Sequence, residues 1–147
     1  MTAGARCRAR ERAVATILVV DDERDLVFYT GLWLKEEGFD VLQAYNGVEA
    51  LDVLAAETVD LVVLDVMMPR MNGWDALAAI RANPNTVGMP VVLHTAKAED
   101  RDKVRGWQLG ADWYICKPCD LDDLLAAIKR LLSASEESVD GPGAGGR

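Results

Sequence analysis

The run Leu61-Val62-Val63-Leu64-Asp65 constrains the fold more than any other stretch of the chain. Four consecutive aliphatic residues without helical spacing read as a strand buried on both faces, the kind found in the middle of a parallel sheet covered by helices. Asp65 is then the first polar side chain beyond the core, at the carboxyl end of the strand, where open α/β sheets place their ligands. The pattern recurs: Ile17-Leu18-Val19-Val20 runs into Asp21-Asp22, Val91-Val92-Leu93-His94 into Thr95, and Trp113-Tyr114-Ile115-Cys116 into Lys117. Asp40 to Ala44 adds a short strand, and helical patterns separate all five. The chain therefore reads as α/β, a (βα)5 five-stranded parallel sheet with helices on both faces. On that reading three acids, one hydroxyl and one ammonium converge at a single sheet edge.

The intervening segments carry helix signals. Residues 24–37 form a helix closed by Gly38, with Leu26, Tyr29, Thr30, Trp33 and Leu34 at core-stripe spacing. Phe28 and Leu32, four apart, project to the opposite side as an exposed apolar pair and a candidate partner contact. Asn46 with Glu49 three residues later makes a capping box. Pro69 and Asn72-Gly73 mark a loop before the helix carrying Trp74, Leu77 and Ile80. Asp100 to Leu109 reads as a helix ended by Gly110 and interrupted by Gly106. Asp120 caps the last helix, whose stripe is Leu121, Leu124, Leu125, Ile128 and Leu132.

At 147 residues the chain suits one domain, expected over residues 16–132. Residues 1–15, with Arg6, Arg8, Arg10 and Arg12, read as a basic disordered arm, and the small, polar residues 133–147 as a flexible tail. The net charge of -8 argues against a nucleic-acid partner, since phosphate binding relies on clustered Lys and Arg. No apolar run is long enough to span a bilayer and the N-terminus lacks a secretory signal, so a cytoplasmic protein without a membrane partner is expected. Three cysteines, an odd number, describe no disulfide framework.

Carboxylates gathered in one crevice repel each other unless a cation joins them, and hard oxygen ligands at this density suit Mg²⁺. Mg²⁺ in turn suggests phosphate, around which Lys117 supplies a point charge and Thr95 a hydroxyl donor. An Asp acting as nucleophile there would form an aspartyl phosphate.

Over about residues 16–132 the sequence resembles a response-regulator receiver domain of two-component signalling, of the stand-alone, single-domain type, which implies the (βα)5 flavodoxin-like doubly wound fold. The likeness rests on motifs in order: Asp21-Asp22 after the first strand, Asp65 followed by Met68-Pro69 and Asn72-Gly73, Thr95-Ala96, and Gly110-Ala111-Asp112 leading to Lys117-Pro118. The resemblance implies that Asp65 is the phosphoacceptor, served by a sensor histidine kinase or histidine phosphotransfer protein. It implies Mg²⁺ held by Asp21, Asp22, Asp65 and the backbone carbonyl of Met67. Lys117 and Thr95 would contact the phosphoryl group, and Thr95 and Tyr114 would act as the switch. The output face would be the fourth helix, fifth strand and fifth helix, where Trp107 and Trp113 are candidate contacts for a downstream protein. The assembly expected is a monomer or a weak, phosphorylation-dependent dimer, with no catalysis beyond the chain's own phosphoryl transfer and dephosphorylation.

Two rival readings are a receiver-like interaction module that is never phosphorylated and a Mg²⁺-dependent aspartyl phosphatase of small molecules. Such phosphatases usually place a second Asp two residues after the nucleophile, where this chain has Met67. One departure from the family pattern is specific to this sequence: Cys119 replaces the usual Phe after Lys-Pro. That creates Cys116-Lys117-Pro118-Cys119, the spacing of a redox pair. His94, beside Thr95, is expected on the opposite face of its strand, against the core or a helix.

Overall fold

A computed structural model describes residues 14–97 and 99–137, the last three without their side chains. Residues 1–13 of the expected basic arm and residues 138–147 of the expected tail lie outside the described residues. Five strands alternate with five helices: β1 (Thr16–Val20), α1 (Arg24–Glu36), β2 (Asp40–Ala44), α2 (Gly47–Ala56), β3 (Leu61–Leu64), α3 (Gly73–Ala82), β4 (Val91–Thr95), α4 (Asp100–Leu109), β5 (Trp113–Cys116) and α5 (Leu121–Glu137). All pairings are parallel and the strand order is β2-β1-β3-β4-β5. The order reverses direction beside β1 and β3, which opens a crevice between their carboxyl ends.

Alternation along the central strands splits the core in two. Leu18, Val20, Val62, Leu64 and Leu93 face Leu54, Leu77 and Ile80 of α2 and α3. Ile17, Val19, Leu61, Val63 and Val92 face Val27, Leu34, Leu124 and Ile128 of α1 and α5. This is why β1, β3 and β4 read as unbroken apolar runs: neither face sees water, and each buried Val, Leu or Ile contributes about 1.5–3 kcal/mol.

Local signals set several boundaries. Asn46 Oδ1 accepts from the Glu49 N–H at 2.9 Å while Glu49 Oε1 accepts from the Tyr45 N–H at 2.8 Å, the reciprocal pair of a capping box. Gly106 does not break α4. It is buried where a Cβ would stand 2.9 Å from Leu93 Cδ1 and 3.0 Å from Tyr114 Cδ2, so its bareness lets the helix approach the sheet. Helix α5 continues beyond Leu132 to Glu137, so the first part of the expected tail is helical.

The face of α1 differs from the expected stripe. Val27, Thr30, Gly31 and Leu34 are buried, whereas Tyr29, expected in the core, is exposed with Phe28 and Leu32. The cause is Gly31. A Cβ there would lie 3.2 Å from Val41 Cγ1, so the helix seats its small residues against the sheet and turns its aromatic bulk outward. Phe28 and Tyr29 meet edge to face, with ring centroids 5.4 Å apart.

Candidate functional site

Backbone pairing continues past the strand ends and fixes the site residues as if they were still in the sheet. Asp65 N–H donates to Val20 O at 3.0 Å, Asp21 N–H to Ala44 O at 3.2 Å, and Lys117 N–H to Thr95 O at 2.8 Å. Side chains from β1, β3, β4 and β5 thus converge as the sequence pattern predicts. Lys117 Nζ lies 2.6 Å from Asp21 Oδ2, 3.4 Å from Asp65 Oδ2 and 3.8 Å from Glu23 Oε1. Asp21 and Asp65 are buried, and Asp22 is exposed. Asp65 Oδ1 accepts from the Met67 N–H at 3.3 Å. Burial and the charge of Asp21 hold the Asp65 carboxyl above its ordinary pKa, against the opposing pull of Lys117, Thr95 and the Met67 N–H.

Carboxylate oxygens of Asp21, Asp22 and Asp65 lie within 4.8 Å of one another, a group that could hold a metal ion. Two of these acids are buried and share a single ammonium, while the third faces solvent and gives a hydrated ion access. Hard oxygen donors with one open side fit Mg²⁺, which keeps part of its water shell. Beside them a pocket is lined by Asp22, Met67, Met68, Trp74 and Lys97.

The loop from β3 to α3, which carries Met67, is clamped at both ends by glycines. Gly73 N–H donates to Val66 O and Gly47 N–H to Met71 O, each at 2.9 Å. A Cβ on Gly73 would collide with the Asp65 carbonyl oxygen and come within 2.7 Å of Val66 Cα. From the sequence Gly73 is legible only as a turn residue and Gly47 not at all, because neither contact is local.

Tyr114 is half-buried on the α4 side, and its hydroxyl donates to Lys97 O at 2.7 Å, tying it to the loop that follows Thr95. Burial pushes the phenol up to about 12, so it stays a donor. Trp107 and Trp113 are exposed and meet edge to face, with centroids 6.4 Å apart, on a groove shared with Lys103, Cys116, Cys119 and Arg130.

The two cysteines take different partners. Cys116 Sγ lies 4.0 Å from Lys97 O, whereas Cys119 packs against the α1/α5 core with Sγ 3.4 Å from His94 Nε2. Among the described residues the acid cluster is the only group of three metal-ligating side chains. His94 is buried as expected, and its pKa is pushed down to about 4, first by burial and then by the Lys117 charge. Folding therefore costs this imidazole its proton, and stability present above pH 6.5 declines as the pH falls toward 4, by roughly 3 kcal/mol in all. Urea unfolding of wild type and His94→Gln across that range should show the wild-type midpoint falling more steeply toward acid than the variant's. Parallel curves would refute the assignment.

The family model for the response regulator receiver domain matches residues 17–129, and the chain belongs to that family. Among curated proteins, the transcriptional regulatory protein CpxR of Escherichia coli is 43% identical over 122 residues, 83% of this chain and 51% of that protein. The response regulator ArlR of Staphylococcus saprophyticus is 41% identical over 116 residues, 79% of this chain and 51% of that protein. Among solved structures, a CheY-like receiver domain protein from Methanospirillum hungatei superimposes with a TM-score of 0.80 at 31% identity, covering 85% of this chain and 98% of that one.

The chain thus spans about half the length of the curated relatives it matches. That corrects the expectation of no nucleic-acid partner. A relative named as a transcriptional regulatory protein, with as much chain again beyond the matched stretch, overturns the inference from net charge, which describes only the residues counted. No helix among the described residues is long and apolar enough to cross a membrane.

Proposed function

We propose that the chain is a phosphorylation-dependent switch that accepts a phosphoryl group on Asp65 from the phosphohistidine of a sensor histidine kinase or histidine phosphotransfer protein. The supporting observation is the Lys117 ammonium bridging Asp21 and Asp65 from the end of a different strand. An Asp65 oxygen attacks phosphorus, the P–N bond breaks, and its electron pair leaves on the imidazole nitrogen, which takes up a proton. Asp21, Asp22, Asp65 and the Met67 carbonyl would hold Mg²⁺, which when bound offsets charge on the transferring oxygens. Lys117 supplies the second positive contact, and the Thr95 hydroxyl donates to the new phosphoryl oxygen. Because Tyr114 holds the Lys97 carbonyl, two residues beyond Thr95, a shift of Thr95 reaches α4 and the Trp107–Trp113 face. That face suits a downstream protein, and the exposed Phe28 and Leu32 of α1 suit a partner near the acid site.

Intact mass after incubation with acetyl phosphate tests the reading. Wild type should gain one phosphoryl group only with Mg²⁺ present, and Asp65→Asn none. A folded, Mg²⁺-binding wild type that gains nothing would overturn it in favour of an interaction module independent of phosphorylation.

A further inference from the structure

Lys117 stands in a short connection between β5 and α5, and its ammonium must be held in place while Asp65 reacts. One end of that connection is fixed by the Lys117 N–H on Thr95 O at 2.8 Å. The other end carries Cys119, where the family pattern has an aromatic residue. Its sulfur is 3.4 Å from Nε2 of His94, a residue buried on β4 directly before Thr95. Successive strand residues point to opposite faces, so β4 serves the site twice: Thr95 reaches Asp65 on one side and His94 reaches Cys119 on the other.

We propose that Cys119 and His94 form a latch that positions Lys117 against Asp21 and Asp65. The inference rests on the phosphoacceptor reading of Asp65 for its functional consequence, though the latch itself is geometric. Bond polarity is consistent with it. Burial keeps the His94 imidazole neutral, and burial with the Asp123 and Asp120 charges keeps the Cys119 thiol protonated. The thiol then donates and Nε2 accepts, which places the imidazole proton on Nδ1. The charged groups acting on the pair are Lys117 and Asp21 at His94, and Asp120, Asp123 and Lys117 at Cys119. Cys119 and His94 are positioning residues: neither touches the acids.

The variants Cys119→Ala and Cys119→Ser separate the latch from mere packing, since Ser restores a donor to His94. Two readouts are taken on the full chain: the Lys117 side-chain Cε resonance, and the initial rate of phosphorylation by acetyl phosphate with Mg²⁺. Cys119→Ala should shift the resonance and slow labelling roughly tenfold, the scale expected when a contact group is displaced by a fraction of an ångström. Cys119→Ser should return both readouts toward wild type, because the donor to His94 is retained. Mg²⁺ affinity by calorimetry should stay unchanged in both variants, whereas general loosening of the site would weaken it. An unmoved Lys117 resonance in Cys119→Ala, or a Ser variant as impaired as Ala, overturns the latch. If wild type is not labelled, the phosphoacceptor reading fails, and the resonance alone still decides the latch.

Discussion

Replacing Lys117 by Met is expected to slow Mg²⁺-dependent phosphorylation of Asp65 by about a hundredfold or more. Loss of one preorganised donor to a centre where charge develops typically costs on the order of 10²–10³ in rate. Lys117 is suited to that role because its ammonium is already desolvated and fixed, 2.6 Å from Asp21 and 3.4 Å from Asp65, before any phosphoryl group arrives. The substitution keeps the length and apolar stem of the side chain, so the loop need not collapse.

The same variant carries a signature in stability. Asp65 is held above its ordinary pKa by burial and by Asp21, and Lys117 is the largest influence in the other direction. A carboxyl whose folded pKa exceeds its unfolded value contributes most below about pH 3.8, and that contribution is lost as the pH rises through the folded value. Removing Lys117 raises Asp65 further, so Lys117→Met should lose more stability at pH 8 than at pH 5. At pH 8 the loss should approach ~3 kcal/mol, the lower end for breaking a buried ion pair by deleting one partner. Adding Asp65→Asn to the variant should return part of it, because one of the two buried carboxylates left without the ammonium is then gone while Asp21 remains. Urea midpoints for both variants at the two pH values would check this, and an equal loss at pH 5 and pH 8 would remove the electrostatic explanation.

Much of this site was legible in the sequence because its signal is one-dimensional. A strand buried on both faces announces itself as an apolar run, and the residue that ends the run lies at the sheet edge whatever the rest of the chain does. Asp21, Asp65, Thr95 and Lys117 could be placed together for that reason. The Asn46 cap and the end of α4 at Gly110, which takes the left-handed conformation, were equally local. What escaped depends on three-dimensional closeness. Hydrophobic counting put Tyr29 of α1 inward because it weighs large apolar residues and gives no weight to Gly31, yet it is the missing side chain that decides which face approaches β2. Arg81 carries no local signal in the sequence. In the fold its guanidinium bonds Gly110 O, Met89 O and the Asp112 carboxylate, bracing the end of α4 against the entry to β4. The pairing of Cys119 with His94 was hidden too, since twenty-five positions separate them.

Gly73→Ala is the second large effect expected, and it follows from closeness of the same kind. Its added methyl would meet the Asp65 carbonyl oxygen and Val66 Cα, both backbone atoms that have no rotamer with which to yield. Either α3 withdraws and gives up the Gly73–Val66 hydrogen bond at 2.9 Å, or the backbone of Asp65 moves. Overpacking of this type costs about 1–3 kcal/mol. Gly88→Ala is the matching control, for a Cβ there meets nothing within 4 Å, and a surface change of that kind should stay within about 0.5 kcal/mol. The functional consequence separates the two routes of relief. If Asp65 moves, Mg²⁺ affinity and labelling rate fall together, because the displaced backbone carries both the carboxylate and the loop to Met67. If α3 withdraws, stability falls while Mg²⁺ affinity holds. The first outcome is expected, since α3 is anchored by Trp74, Leu77 and Ile80 in the core, whereas the chain after Asp65 leaves the sheet as a loop. Calorimetric titration of Gly73→Ala with Mg²⁺, beside its urea unfolding curve, distinguishes them. Unchanged affinity at reduced stability would show that α3, and not the Asp65 backbone, gives way.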